Sequence, residues 1–418
     1  MRLPATLLTV FFAQQVAASP NILLVLADDM GVDVSPCYAD SLNAHMPTLS
    51  RICSEGTVFE NAYAAPVCSP TRAMILTGQQ SSRNGVGGVL NRDNNVSLSI
   101  EGDTLFEAFQ GSGYATALIG KWHLSHDQRN FDHPEELGVP YHFGPFSGGV
   151  RDYQNWTAVE NGDVVRVTKY ATTELTDRAI DWIADQPDPW FLWLAFNAPH
   201  TPFHLPPDDL HNQSHLSGSE SDIRANTADY YTAALEALDH ELGRILSTLD
   251  EETVVIFMGD NGTPTQVLGR TARGRAKGSL YEGGIHVPLV VSGPNIEIGR
   301  TDALVGATDI YDTINDLAGL GATAPDSHSF EPILAGGEGS RRHVLVEHFS
   351  NAEARGRNGY GWAIRSDRYK LIQFDEADAE LYDLQSDPLE RRNLLRAPSS
   401  EHRKTTNELR AAYDQLTQ

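Results

Sequence analysis

Asn21-Ile22-Leu23-Leu24-Val25-Leu26-Ala27 runs without a charge into Asp28-Asp29. A short apolar run closed by polar residues reads as a strand buried on both faces, because a half-exposed strand would alternate. The unit recurs three times along the chain. Tyr114 to Ile119 runs into Gly120-Lys121-Trp122-His123, Trp190 to Phe196 into Asn197-Ala198-Pro199-His200, and Thr253 to Met258 into Gly259-Asp260-Asn261-Gly262. Between the runs lie helical patterns: Tyr231, Leu235, Leu238, Leu242 and Ile245 share one face, and so do Leu175, Ala179, Trp182 and Ile183. Strands alternating with helices predict an α/β fold, a large mostly parallel (mixed) sheet sandwiched by helices. In such sheets the site lies at the carboxyl ends of the strands, so the four polar clusters should converge on one rim.

A Gly-, Ala-, Pro-, Asp- and Ser-rich stretch from Gly319 to Arg342 reads as a boundary or crossover. Beyond it, His343 to Phe349, Tyr360 to Arg365 and Tyr369 to Phe374 are strand-like, with a turn at Ser366-Asp367. The expected organisation is a signal peptide over 1–19, a catalytic α/β domain over 20–335, and an α+β subdomain over 336–418. The subdomain should hold a smaller antiparallel sheet and a terminal helix.

The chain has 418 residues and a net charge of −25, from 31 basic and 56 acidic residues. That balance argues against general affinity for nucleic acid or anionic membranes. A polyanionic substrate would need a local basic patch, which Arg270, Arg273, Arg275 and Lys277 could form; they read equally well as a solvated basic loop. Arg2, the apolar run Leu7 to Ala13 and the small residues Val16 to Ser19 have the layout of a secretory signal. No other stretch is long and apolar enough to span a bilayer. The expected location is secreted or periplasmic, or lumenal or lysosomal in a eukaryotic host. Of three cysteines, Cys37 and Cys53 form either a disulfide or two separate buried thiols. Asn95, Asn155 and Asn212 begin glycosylation sequons, which matter only in a eukaryotic host.

Cys68-Ser69-Pro70-Thr71-Arg72 continues through Ala73 to Thr77 and reaches Gly78. Pro70 suits the first turn of a helix, Ser69 is a good N-cap, and Gly78 can end the helix. Residue 68 then stands at a helix N-terminus, where free N–H groups favour an anion. Cys-x-Pro-x-Arg resembles the signature of the type I, formylglycine-dependent sulfatases of the alkaline-phosphatase-like superfamily. The resemblance implies that a formylglycine-generating enzyme oxidises Cys68 to Cα-formylglycine, whose hydrate attacks sulfur.

The other clusters resemble the same family in order. Asp28, Asp29, Asp260 and Asn261 offer only hard oxygen ligands, which suit calcium, with magnesium as runner-up, and include no His or thiolate set that would select zinc. By resemblance these four, with modified residue 68, hold calcium. Gly120-Lys121-Trp122-His123-Leu124 matches a family segment in which Lys121 holds the sulfate and His123 acts on the hydrated aldehyde. His200 matches the histidine near the leaving oxygen, Lys277 a sulfate-binding lysine, and Arg72 is expected to orient the nucleophile loop. Glu380-Leu381-Tyr382-Asp383-Leu384, Asp387-Pro388 and Asn393-Leu394 resemble the family's closing segment. Two positions depart: His286 stands where Glu-Gly-Gly-x-Arg-Val-Pro is usual, and Ser327 replaces a usual Gly. The first removes any local ion pair that the arginine would make.

The implied reaction is hydrolysis of a sulfate monoester, with a sulfated small molecule or saccharide as substrate. One hydroxyl of hydrated residue 68 attacks in line, and His200 protonates the departing alcohol. The second hydroxyl expels sulfate, with His123 taking its proton. Two other readings share these motifs: a formylglycine-dependent phosphodiesterase or phosphonate monoester hydrolase, and a non-catalytic protein that binds sulfated glycans. The loops Phe131 to Trp156 and Pro202 to Asp222, whose composition sets no shape, would carry the substrate choice.

Overall fold

Every residue of the first apolar run, Asn21–Ala27, lies in strand β1 and is buried. Its side chains alternate between two apolar layers, Ile22, Leu24 and Leu26 on one side and Leu23, Val25 and Ala27 on the other. The computed structural model describes residues 19–38, 41–92, 96–99, 102–127, 129–269, 274–350 and 360–418. The expected signal run, Asn95, Arg270 and Arg273 lie outside the described residues.

Nine more strands join β1: β2 (Gly56–Tyr63), β3 (Ala115–Gly120), β4 (His142–Gly144), β5 (Trp156–Glu160), β6 (Asp163–Val167), β7 (Trp190–Ala195), β8 (Thr253–Gly259), β9 (Leu289–Ser292) and β10 (Gly299–Gly306). Their order is β10-β2-β9-β8-β1-β7-β3-β4-β5-β6. The four runs singled out in the sequence are neighbours, β8-β1-β7-β3, and all three pairings are parallel. Antiparallel pairings at β9 and across β4-β5-β6 make the sheet mixed. Leu235, Leu238, Leu242 and Ile245 of the helix Thr227–Leu246 and Leu175 and Ala179 of the helix Ala171–Asp185 pack on one face. Trp182 and Ile183, expected on that face, are only partly buried against it. The helices Cys68–Thr77 and Asp309–Leu317 cover the other face.

The helix Cys68–Thr77 starts two residues earlier than expected, at Cys68 and not at Pro70. Its N-cap is Val67, with no side-chain capping bond, and not Ser69. The Ser69 hydroxyl instead accepts from Leu90 N at 3.1 Å, so it serves a neighbouring loop. Gly78 does end the helix, at φ 60°. Cys37 and Cys53 form a disulfide, with Cα atoms 5.6 Å apart.

The second sheet is antiparallel, in the order β11 (Val344–His348), β12 (Gly361–Arg365), β13 (Tyr369–Phe374) and β14 (Glu380–Asp383). The helix Ser400–Leu416 packs on it, and Tyr413 stacks on Trp362 with ring centroids 4.0 Å apart. Ser399 caps that helix with His402 completing the box.

A buried apolar cluster, in which Tyr63 and Leu304 pack with Val344, Val346, Ala363 and Ile372, and a buried charge network join the small sheet to the large one. Lys370 of β13, which has no exposure, lies 2.9 Å from Glu282 Oε1 and 2.9 Å from Glu390 Oε1. Burial opposes charge on Glu282, but Lys370 outweighs it and holds the carboxyl down at about 2, whereas burial pushes Glu390 up. Tyr63 Oη donates to Glu282 Oε2 at 3.0 Å and also meets Arg365 of β12. His286, at the position where the resemblance expects arginine, stacks on Tyr63 with centroids 5.2 Å apart and sits 3.3 Å from Glu282 Oε2. The cation partner of Glu282 is therefore delivered by the second sheet.

Lys370→Met should leave two buried carboxylates without their cation and cost about 3–5 kcal/mol. Urea titration measures it; a loss within ~0.5 kcal/mol, as for an ordinary surface change, would show that the network does not join the sheets.

Candidate active site

Because β8, β1, β7 and β3 lie side by side and parallel, their carboxyl ends open on one spot. Asp28 and Asp29 leave β1, Lys121 and His123 leave β3, His200 follows β7, and Asp260 and Asn261 leave β8. Gly120 makes the β3 exit possible: at φ +125°, a Cβ there would stand 1.9 Å from Ala195 O, and Lys121 N donates to that same oxygen at 2.8 Å.

Cys68, at the start of its helix, points into this rim. Its Sγ is 3.3 Å from Asp28 Oδ1, 3.9 Å from Asp29 Oδ1 and 3.6 Å from Lys277 Nζ. Lys121 Nζ pairs with Asp28 Oδ2 at 2.6 Å, and Lys277 Nζ pairs with Asp29 Oδ1. Arg72 spans the site from below, donating to Asp260 Oδ2 at 2.9 Å and to Lys121 O at 2.8 Å. Every residue expected at the site is thus brought together: the nucleophile position, three cations, two histidines, three carboxylates and one amide.

Paired charges decide the protonation states. Burial works against the Asp28 carboxylate, but Lys121, His200, Arg72 and Lys277 outweigh it and hold the group well below the carboxylate range. Burial, then the charge of Asp28, pushes Asp260 up to about 7. The Lys277 ammonium is stabilised against burial by Asp29, and its pKa is raised. Burial pushes the Cys68 thiol far above its usual range, and Asp28 adds to this. The encoded thiol is therefore a poor thiolate, and unmodified Cys68 a poor nucleophile.

The two histidines face the spot with different atoms. His123 Nε2 lies 3.0 Å from Leu90 O, so the hydrogen is on Nε2 and the buried Nδ1 keeps its lone pair. Burial, Lys121 and Arg72 hold this ring neutral. His200 is opposite in sense: Nδ1 donates to Thr201 O at 2.7 Å, leaving Nε2 to face the site, 3.8 Å from Asp29 Oδ2.

A family model described as Sulfatase matches residues 20–320, and a second, described as N-sulphoglucosamine sulphohydrolase, C-terminal, matches 275–418. The chain belongs to the sulfatase family. It is 29% identical to an uncharacterized sulfatase of Escherichia coli strain K12, over 72% of this chain and 63% of that protein. It is 30% identical to the N-acetylgalactosamine-6-sulfatase of Sus scrofa, over 72% of this chain and 62% of that one. The crystal structure of Ps i-CgsB in complex with k-i-k-neocarrahexaose superposes with a TM-score of 0.80 at 23% identity, covering 96% of this chain and 94% of that one, which shows the shared fold.

The residues present in this sulfatase fit a cation. Asp28, Asp29, Cys68 and His200 each offer a ligand atom within 4.8 Å of the others. Asn261 Oδ1 is buried without a hydrogen-bond partner, while its Nδ2 donates to Asp29 Oδ1 at 2.9 Å. A buried orphan oxygen beside three carboxylates is the arrangement that a hard divalent ion satisfies. Asp260 is engaged on both oxygens, since Oδ2 meets Arg72 and Oδ1 accepts from Asp29 N at 2.9 Å.

Two cavities flank Lys277. One, of about 720 Å3, is lined by Val67, Pro264, Gln266 and Lys277; the other, of about 400 Å3, reaches Tyr281, Phe374 and Glu380 of the second sheet. A cavity of about 760 Å3 beside Thr77 and Tyr311 touches none of the site residues. Sequence reasoning left residues 131–156 as a shapeless loop, yet that loop contains β4 and Tyr153, whose ring is buried behind His200. The signal available was the Gly148-Gly149 pair, which allows close packing.

In protein that carries residue 68 as the encoded cysteine, the alkylation rate of Cys68 should keep rising with pH beyond 8.5, the usual thiol value. At pH 8 it should be at least about tenfold below the rate in denaturant, the drop that one pKa unit gives. A rate that levels off below pH 8.5 would show an activated thiolate and overturn this account of the site.

Proposed function

We propose that this sulfatase is a secreted or periplasmic enzyme that hydrolyses sulfate monoesters of a carbohydrate, with residue 68 as Cα-formylglycine and calcium held by Asp28, Asp29, Asp260, Asn261 and residue 68. The observation that carries the reading is the meeting of Cys68, Lys121, Lys277 and His200 with two aspartates on one buried rim. When formed, the hydrated aldehyde supplies a geminal diol as nucleophile, and the cation neutralises negative charge on the sulfate oxygens.

The chain's own groups do the rest. Lys121 and Lys277, with the helix N-terminus at residue 68, place positive charge where sulfate oxygens gain it. Arg72 ties Asp260 to the backbone of Lys121 and so fixes the floor of the site. His123 Nδ1, lone pair free, is set to take a proton at residue 68. His200 Nε2 gives one to the departing ester oxygen when the ring is doubly protonated, a state that burial opposes and Asp28 and Asp29 favour, while Nδ1–H stays on Thr201 O.

Support for a sugar comes from two sides. The flanking cavity places Tyr281 and Phe374 beside Lys277, and aromatic rings suit the apolar faces of sugar rings. The porcine relative is named for a sulfated amino sugar, and the structure in complex with k-i-k-neocarrahexaose shares the fold. The basic patch expected in the sequence is drawn on only in part: Arg275 lies 4.0 Å over the Tyr281 ring, beside this cavity.

Matured protein should release sulfate from some member of a panel of sulfated mono- and oligosaccharides, and should cleave an aryl sulfate faster than the matched aryl phosphate. The reverse preference would favour the phosphodiesterase or phosphonate hydrolase reading; no turnover on any ester would favour a glycan-binding protein. Cys68→Ser keeps one oxygen but not the geminal pair, so mass spectrometry should find a stable sulfate adduct at position 68. Steady turnover by that variant would remove the elimination step.

Elemental analysis should find about one calcium per chain, and Asp260→Ala should lose it together with activity. Stoichiometric zinc, or full turnover after thorough chelation, would sink the metal assignment.

A further inference from the structure

One irregular segment, residues 145–153, holds the loops that carry both imidazoles. Its first part runs along the exit from β3: Trp122 N donates to Pro145 O at 3.0 Å and His123 N to Phe146 O at 3.1 Å. Gly148 then lies against the His123 ring, where a Cβ would stand 2.7 Å from Cε1 and 2.8 Å from Nε2. Gly149 lies against His200, where a Cβ would stand 3.3 Å from Nδ1. The segment ends at Tyr153, whose hydroxyl is 2.7 Å from His200 O and 2.8 Å from Asn197 O. Tyr153 is itself fixed. Its ring stacks on His204 with centroids 3.8 Å apart, Tyr170 Oη lies 3.0 Å from His204 Nε2, and Ala171 N donates to Tyr153 O at 2.8 Å.

We propose that Tyr153, with Gly149, is a positioning residue for His200: it fixes the backbone of the His200 loop so that Nε2 meets the departing oxygen of the ester. This rests on the reading of His200 as the leaving-group acid. The His200 ring has no anchor among the described residues that faces the substrate. One nitrogen is spent on the next residue's carbonyl, and the other looks into the site. The position of Nε2 is therefore set by the backbone at 197–200, and Tyr153 bridges the two ends of that turn with a single hydroxyl. Proton transfer is steep in distance, and a misplacement of about 1 Å can cost about 100-fold. The bland alternative is a core tyrosine that satisfies two carbonyls and matters only for stability.

Leaving-group dependence separates the two. Tyr153→Phe keeps the ring and its stacking on His204 but loses both contacts to the turn. Gly149→Ala tests the 3.3 Å contact alone, at a backbone conformation open to alanine. Each variant, and His200→Ala, is assayed as matured, metal-loaded enzyme with residue 68 verified by mass spectrometry. The readout is kcat/KM on a sugar sulfate and on nitrophenyl sulfate, with a thermal melt of each protein. Tyr153→Phe should lose about 10–100-fold on the sugar sulfate, part of the 10²–10⁴ that general acids contribute, and under about threefold on the activated phenol. Gly149→Ala should shift selectivity in the same direction.

A lower melting temperature alone cannot produce that selectivity, since it reduces active enzyme equally for both esters. If His200→Ala is selective for the poor leaving group but Tyr153→Phe and Gly149→Ala lose equally on both, the positioning role is wrong and His200 stands. If His200→Ala is itself unselective, the acid assignment falls and the positioning role falls with it.

Discussion

Asp28, Asp29 and Asp260 stand at the ends of β1 and β8 almost wholly out of water, and each is matched by a cation from a different part of the chain: Lys121, Lys277 and Arg72. Isolated charges there would cost several kcal/mol each, so the rim is stable only with all the partners in place. That constraint reaches outward. Lys121 depends on the close approach of β3 to β7 at Gly120, and Lys277 on the loop after β8, whose backbone N bonds Thr263 O at 3.1 Å. Arg72 depends on the burial of an entire turn of helix. The same balance of charges makes the site receptive to an anion: the cations are present, and a ligand oxygen or a divalent ion can rearrange which carboxylate each one serves.

The second sheet belongs to this balance. Lys370 neutralises Glu282, and Glu282 opens the Gly283-Gly284 stretch against which Gly262 is packed, with Gly262 N donating to Gly284 O at 2.9 Å. Gly262 follows Asn261, so the loop that offers the orphan amide oxygen is braced through one short path by a lysine on β13. The substitution of His286 for arginine is tolerated because the cation arrives from elsewhere, while the imidazole keeps a stacked contact with Tyr63. The second sheet, which follows the first in the chain, thus braces the Asn261 loop and, through Phe374 and Glu380, forms the wall of a flanking cavity.

Two backbone carbonyls turn a different nitrogen of each histidine to the site. His123 keeps a free Nδ1 because Leu90 O holds its other nitrogen, and His200 presents Nε2 because Thr201 O holds Nδ1. With one hydrogen per ring both site-facing nitrogens are acceptors, and burial opposes a second proton on either. What distinguishes the rings is the neighbouring charge: Lys121 and Arg72 oppose protonation of His123, and Asp28 and Asp29 favour it on His200.

The continuous apolar runs, their polar ends and the Cys-x-Pro-x-Arg pentapeptide were legible in the chain itself. A strand buried on both faces must be apolar throughout, and a charged cluster after it must lie at the strand end; both are local facts. From them came the α/β class and the converging rim; the ten candidate site residues needed the family resemblance as well, which is what picked out Lys277. Three features were not legible. Ser69 suits an N-cap by type, but its hydroxyl found a better partner in Leu90 N, 21 residues away. Cys37 and Cys53 permitted a bond or two thiols, and only their placement, with Cα atoms 5.6 Å apart, chose the bond. Lys370 and Tyr153 carry no motif, because each acts through a group far away in the chain, Glu282 at 88 residues from Lys370 and His200 at 47 from Tyr153. What the sequence determined alone was therefore what depends on neighbours along the chain: strand, helix and the chemistry at their ends. Which charge meets which, and which atom of each histidine faces the substrate, was decided by tertiary structure, because hydrogen bonds and ion pairs require distances that only the folded chain sets.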